Sequence, residues 1–292
     1  MPKQLRLILK TMRPRQWPKN IFVLAALVFD GQLTNLNALS FSLLAVILFS
    51  LASSLVYIIN DLTDIETDRL HPTKRLRPLA SGQLSKNTAL ITAVLLALFI
   101  FPLSFILNPY FGAIISGYAA LMLLYSLYLK RFPILDVMVI AAGFVLRVAA
   151  GVVIIQPEEF SPWLFVATTF LALFIALGKR RAEIDLLASE AQSHRQVLQG
   201  YSLDLLDQLL TIVMATTLMT YCLYTFSTPI SPENHVMMLT IPFVIYGLFR
   251  YLYLIRMQHI GGAPEEIILT DLPMQITIGS WGAIVLLILY IL

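Results

Sequence analysis

Apolar residues are gathered into long runs separated by short polar segments. Crossing ~30 Å of hydrocarbon takes about 20 residues. Nine stretches reach or approach that length: 18–36, 39–60, 87–107, 110–129, 134–155, 161–178, 208–227, 236–256 and 273–292. The first is the weakest, because Asp30 interrupts it. The pattern predicts an all-α, polytopic membrane protein with nine transmembrane helices and a single domain over 1–292. The polar connections then sort into two sets. One holds the amino terminus and the segments near 61–86, 130–133, 179–207 and 257–272, and the other holds the short segments near 31–38, 108–109, 156–160 and 228–235.

Charge tests this partition, since Lys and Arg are retained on the cytoplasmic side. Nineteen of the 20 basic residues fall in the first set or at the span ends beside it, and the opposite loops hold none. Losing or adding one span would scramble that segregation, so the amino terminus is expected inside. Composition agrees: 58% hydrophobic residues, 13% charged residues and a mean hydropathy of +0.80 are far from a soluble domain. The basic amino terminus ahead of Ile21–Phe29 superficially resembles a secretory signal, but no small-residue cleavage site follows, so a retained first span is expected. Cys222 is the only cysteine, which excludes a disulfide framework and a thiolate metal cluster. The four histidines, His71, His194, His235 and His259, have no ligand spacing, which argues against zinc. No Gly-rich phosphate loop, nucleophilic serine elbow or nucleic-acid face is present.

The chemistry gathers where the second run ends. Asn60-Asp61-Leu62-Thr63-Asp64-Ile65-Glu66-Thr67-Asp68-Arg69 leads directly into His71-Pro72-Thr73-Lys74-Arg75-Leu76-Arg77-Pro78. If the helix continues through this stretch, Asp61, Asp64 and Asp68 stand at i, i+3 and i+7 on one face. Carboxylates held that close repel one another, and hard oxygen ligands in small number suit Mg²⁺ shared with a substrate's phosphates. The plainer alternative is a solvated loop with its acids spread apart. The sixth run ends in Gly178-Lys179-Arg180-Arg181-Ala182-Glu183-Ile184-Asp185, a mainly cationic counterpart. An anionic substrate gripped through a metal on one wall needs direct cations on the other, and Lys179, Arg180 and Arg181 would supply them. Taken alone, the triplet reads equally well as a topology anchor. Lys19 enters the first run at the same level, whereas Arg13 and Arg15 read as a plain positive flank and Trp17 as an interfacial anchor. Arg147 lies mid-span, where an unpaired charge is costly, so it either walls a pocket or sits in a buried ion pair. Asp136 is too far along the same helix to pair with it.

Taken together, these motifs resemble the UbiA-type intramembrane prenyltransferase superfamily typified by 4-hydroxybenzoate polyprenyltransferase. The chain is most similar to its decaprenyl-phosphate phosphoribosyltransferases. The resemblance covers nearly the whole chain. It rests on Arg13-Pro14-Arg15-Gln16-Trp17-Pro18-Lys19-Asn20, Asn60 to Gly82 with Arg77-Pro78-Leu79-Ala80-Ser81-Gly82, Tyr125-Ser126 with Lys130, Gly178-Lys179-Arg180 with Glu183, and Gly262-x-Pro264-Glu265. It implies a nine-helix bundle in a bacterial inner membrane with its active-site cavity facing the cytoplasm. It also implies Mg²⁺, a phosphoribosyl diphosphate donor and a polyprenyl phosphate acceptor. Asp61, Asp64 and Asp68 would be the catalytic metal ligands. Lys19, Asn60, Arg69, Lys74, Arg77, Tyr125, Lys130, Arg147, Lys179, Arg180, Glu183 and Tyr201 would contact the substrates. A homo-oligomer is compatible with the sequence, and a nucleic-acid partner is not expected.

One departure from the superfamily is informative. Prenyl-diphosphate users carry a second Asp-rich motif after the sixth span, where this chain has Lys179-Arg180-Arg181. Phosphoribosyl diphosphate has a 5′-phosphate at the far end of its sugar, and added cations are what that group requires. Tyr201, Asp204 and Asp207 offer a displaced acidic wall, which keeps open a prenyl-diphosphate donor with an aromatic acceptor. A transporter would place ionisable residues mid-membrane in several spans, and here only Arg147 is clearly so placed.

Overall fold

A computed structural model of the protein describes residues 3–157, 161–189, 196–227, 235–258, 267 and 270–291. Those residues are almost entirely helical and contain no strand, as expected. The α-helices are α1 (Lys3–Met12), α2 (Ala25–Phe29), α3 (Leu36–Thr63), α4 (Ile65–Leu70), α5 (Lys86–Leu107), α6 (Pro109–Leu127), α7 (Leu135–Ile155), α8 (Pro162–Ser189), α9 (Leu203–Phe226), α10 (Ile241–Met257) and α11 (Leu272–Tyr290). Eight of the helical segments are long and apolar enough to cross a membrane, α10 counting with the 3₁₀ turn Val236–Thr240 that leads it. The nine-span expectation is therefore approximate, and the weak first run explains the difference. Pro14 and Pro18 lie in a 3₁₀ segment, Pro14–Leu24. A proline inside a helix removes an amide donor and disrupts i→i−4 bonding. Only α2 follows before the chain turns at Gly31, whose φ is 69°.

The chain forms two compact units. Unit 1 comprises Met1–Leu27, Gln32–Leu127 and Leu146–Pro157, and unit 2 comprises Val28–Gly31, Tyr128–Val145 and Glu158–Leu292. In unit 1, α3 is the central helix. Asn35 caps its start by accepting the amide protons of Asn37 and Ala38, and Ser85 does the same for α5 through Thr88. Both helices are strongly apolar, yet 61% of the apolar window of α3 is buried against 17% for α5. Lipid tails are as apolar as leucine, so burial here follows packing rather than hydrophobicity. The packed face of α3 is built from small residues, Ala45, Ser50, Ala52, Ser53 and Ser54. Leu48, Phe49, Leu55 and Ile58 interleave with Ile100, Phe111, Ile115 and Tyr118.

The second half of α7 approaches the 3₁₀ segment so closely that a Cβ built on Gly151 would collide with the Val23 carbonyl oxygen. The obstacle is backbone and cannot rotate away. Gly151→Ala is expected to destabilise the protein by about 1–3 kcal/mol, read as a lower thermal midpoint in detergent.

Unit 2 contains α8–α11 and the first half of α7. One core joins Phe174, Leu177, Leu206, Leu210, Leu254 and Ile255. A second is aromatic: Phe29 meets Tyr224 edge-on at 5.5 Å between centroids, and Trp281 Nε1 donates to the Tyr221 hydroxyl at 2.8 Å. Asp271 caps α11 by accepting from the Met274 amide and is gripped by both prongs of Arg250, at 2.7 and 3.2 Å. That guanidinium holds the Asp271 carboxyl below the usual carboxylate range.

Candidate active site

Unit 1 carries the acidic stretch. The helix does not run through it unbroken: α3 ends at Thr63, Asp64 leaves helical geometry (φ −95°, ψ 9°) and α4 begins at Ile65. The break is only local, because the Asp64 amide still bonds the Asn60 carbonyl and the Asp68 amide bonds the Asp64 carbonyl. Asp61 and Asp68 consequently stay on one face, and both are buried. A single nitrogen of Arg77, Nη1, donates to Asp68 Oδ2 at 2.6 Å and to Asp61 Oδ1 at 3.2 Å. Arg13 Nη2 reaches the same Asp61 oxygen at 2.5 Å.

The three-aspartate convergence expected from the sequence is thus present as a pair. Among the described residues no three His, Cys, Asp or Glu side chains are grouped as a metal site. The donor set still fits Mg²⁺. Two buried carboxylate oxygens flank one point already filled by positive charge, and Mg²⁺ is commonly held by one or two carboxylates together with substrate phosphates.

Other predicted residues of this unit have structural partners. Arg69 pairs with Glu66 at 3.1 Å and donates through Nε to the Ala80 carbonyl, tying the loop back to α4. Lys74 begins a one-turn 3₁₀ helix, Lys74–Leu76. Asn60 spends its carbonyl on Asp64 and on the Thr63 hydroxyl. Lys19 and Tyr125 are half-buried. Arg147 is buried; its Nε donates to Asn20 Oδ1 at 2.8 Å and its Nη2 to the Tyr118 hydroxyl at 3.0 Å, while the Phe49 and Tyr118 rings lie 5.2 and 4.9 Å from its guanidinium. Asn20 in turn donates to Ser50 on α3. Arg147 therefore ties α7 to α3, α6 and the amino-terminal arm, and Asp136 has other partners, as its distance along α7 required.

Unit 2 carries the cationic triplet. Arg180 is 2% exposed and Asp136 is fully buried; Nε donates to Asp136 Oδ2 at 2.7 Å, and Nη1 to Glu183 at 2.5 Å. Tyr201 donates to the other Asp136 oxygen at 2.6 Å and accepts from the Ile134 amide. Burial, with that bond to Asp136, pushes the Tyr201 phenol above its usual range, so it stays an O–H donor. Arg181 donates to Asp207 at 2.7 Å, and Arg256 pairs with the same carboxylate at 3.1 Å. Asp204 accepts from Gln208. Arg180, Arg181, Tyr201 and Asp207 thus belong to buried or part-buried ion-pair networks, and Lys179 is half-buried beside them. Lys130 lies in the 3₁₀ turn Leu129–Arg131. The Gly262-x-Pro264-Glu265 motif lies outside the described residues.

The structure thus defines a helical membrane protein with a buried acidic pair, held by two arginines, at the end of a membrane-length helix. Comparison with known proteins makes that class specific. Residues 20–264 match the UbiA prenyltransferase family, and the chain belongs to that family. It is 34% identical to the decaprenyl-phosphate phosphoribosyltransferase of Corynebacterium glutamicum, over 98% of this chain and 87% of that protein. It is likewise 34% identical to the enzyme of the same name from Mycolicibacterium smegmatis, over 94% of this chain and 89% of the relative. A UbiA homolog from Archaeoglobus fulgidus, solved with DMAPP and Mg²⁺, has the same fold, with a TM-score of 0.71 at 20% identity over 98% of this chain and 99% of that one.

The contact of Arg13 with Asp61 is not foretold by the sequence, because a place in a basic amino terminus already satisfies the positive-inside rule and the carboxylate partner lies 48 positions away.

Proposed function

We propose that the protein transfers the 5-phosphoribosyl group of phosphoribosyl diphosphate to a polyprenyl phosphate and releases diphosphate, in a Mg²⁺-dependent reaction at the cytoplasmic face of a bacterial inner membrane. The observation that carries this reading is the 34% identity, over 98% of the chain, to an enzyme named for that acceptor and that transferred group.

Asp61 and Asp68, with Asp64 at the adjoining break, would hold the metal. Mg²⁺ bound there supplies neutralisation of the negative charge that builds on the departing diphosphate. Arg77 and Arg13, whose side chains are 27% and 30% exposed, reach outward from the same acids and would contact the diphosphate oxygens. The acceptor needs no general base, because a phosphate monoester with a second pKa near ~6 is already largely a dianion at neutral pH. Its attack on C1 from the face opposite the leaving diphosphate inverts configuration there. Lys19, Lys74, Lys130 and Lys179, long amines on flexible stems, are the candidates to position the lipid phosphate and the 5′-phosphate. Arg180 supports this arrangement by ordering α8 through Asp136.

A prenyl-diphosphate donor would draw on the displaced acids after α8. Among the described residues, however, Asp204 and Asp207 share no counter-ion of the kind that joins Asp61 to Asp68: Asp207 pairs with Arg181 and Arg256, Asp204 accepts from Gln208, and Tyr201 donates to Asp136. In the deciding experiment, purified protein receives Mg²⁺ and labelled phosphoribosyl diphosphate with polyprenyl phosphate, or labelled prenyl diphosphate with an aromatic acid. Label is expected in a lipid-soluble product only in the first arm. Labelled product from the second arm alone would overturn the assignment.

A further inference from the structure

We infer that Arg13 and Arg77 are exchangeable counter-ions of the metal-binding acids: they neutralise Asp61 and Asp68 at rest and move onto the diphosphate when it arrives, so that metal and diphosphate bind as one coupled unit. This inference rests on the function proposed above and adds Arg13, with a defined task, to the site.

The Asp61 and Asp68 side chains are 3% and 4% exposed and share one guanidinium nitrogen. Two buried like charges at that separation require cations, and removing the partner of a buried charge is strongly unfavourable. Arg13 and Arg77 bring the four side chains to zero net charge. The asymmetry of exposure is informative. The acids are sealed, while each arginine is more than a quarter exposed on a long stem and can swing without unpacking a core.

A divalent cation arriving alone would have to evict the guanidiniums, which then have nothing to neutralise, or leave the site with excess positive charge. A cation arriving with diphosphate offers the guanidiniums a doubly pronged anion that matches their fork. Metal and anion must then strengthen one another, and by linkage each raises the other's affinity by the same factor.

Backbone geometry makes the same point for Arg13 independently. It is a non-glycine residue in the left-handed region, at φ 54° and ψ 62°. Such conformers cost about 1–3 kcal/mol and persist where the surroundings enforce them. Ser54 packs against this turn: its hydroxyl shares one proton between the Ser50 carbonyl of its own helix at 2.8 Å and the Met12 carbonyl at 3.1 Å, and accepts from Trp17 Nε1. The guanidinium lies over the Tyr57 ring at 4.6 Å, which aims it at Asp61. An arginine acting only as a positive flank needs neither the strained backbone nor the aim.

The test measures binding of free Mn²⁺, and of preformed Mn²⁺–pyrophosphate, to the full chain in detergent by calorimetry, for the native protein, Arg13→Gln and Arg77→Gln. The native protein is expected to bind the complex more tightly than the bare ion by a factor within roughly 5–150-fold. Each variant should bind bare Mn²⁺ several-fold more tightly than the native protein does and bind the complex less tightly, compressing the ratio toward one. A merely structural pair would leave that ratio unchanged in both variants, and this result overturns the inference while the metal assignment stands. If neither form of Mn²⁺ binds the native protein, the metal assignment fails and takes the inference with it. Thermal unfolding verifies that each variant is folded. Should Arg13→Gln not fold, Arg77→Gln decides alone, because Arg77 contacts both acids.

Discussion

Replacing Asp61 with asparagine is expected to lower phosphoribosyl transfer by about 10²–10³-fold or more, the scale associated with losing one preorganised electrostatic contact to a transition state. Asparagine keeps the shape and one acceptor but removes the charge at the oxygen where Arg13 and Arg77 both converge. Folding should survive, since Arg77 retains Asp68 and the two arginines are exposed enough to hydrate. The measurement pairs a turnover assay, with labelled phosphoribosyl diphosphate and polyprenyl phosphate, with a thermal melt. A stable Asp61→Asn protein that turns over normally would remove the metal role from this residue. Asp68→Asn should fall in the same direction while leaving the Arg13 contact intact.

The second large effect lies in unit 2 and concerns stability. Arg180→Leu strands Asp136, a fully buried carboxylate whose remaining partner is the Tyr201 hydroxyl. Breaking one side of a buried pair costs about 3–5 kcal/mol, whereas removing both charges together is often close to neutral. The single variant should therefore unfold at a markedly lower denaturant concentration, and Asp136→Asn combined with Arg180→Leu should recover most of the loss. Equal stability of Arg180→Leu and the native protein would show that the pair is not what orders α7 against α8. The repaired double variant also separates two roles for Arg180. If it folds and works, the guanidinium serves packing alone; if it folds and is inactive, the guanidinium also meets a substrate phosphate.

The membrane class and the position of the acidic stretch were legible because both are local: length of apolar run and spacing of aspartates. What stayed hidden is long-range. Nothing near Lys179-Arg180-Arg181 reveals that Asp136 and Asp207, 44 and 26 positions away, claim two of the three cations. The triplet therefore read as a ready phosphate clamp. The first apolar run looked like a ninth helix because hydropathy counts apolar residues without regard to the two prolines that turn its start into 3₁₀ geometry. The shared helix face of Asp61 and Asp68 was correct in register, and the break at Asp64 was invisible because no proline or glycine marks it. Arg13 was masked by an explanation that already sufficed.

Ser54 connects these threads. One hydroxyl on the central helix contacts the Met12 carbonyl just before Arg13 and the Trp17 indole four residues after it. The reach of that guanidinium consequently depends in part on a serine buried inside the protein. The amino-terminal arm is thereby registered against the central helix, and a change at Ser54, about two turns before Asp61 on that helix, would shift where the Arg13 guanidinium meets the carboxylate.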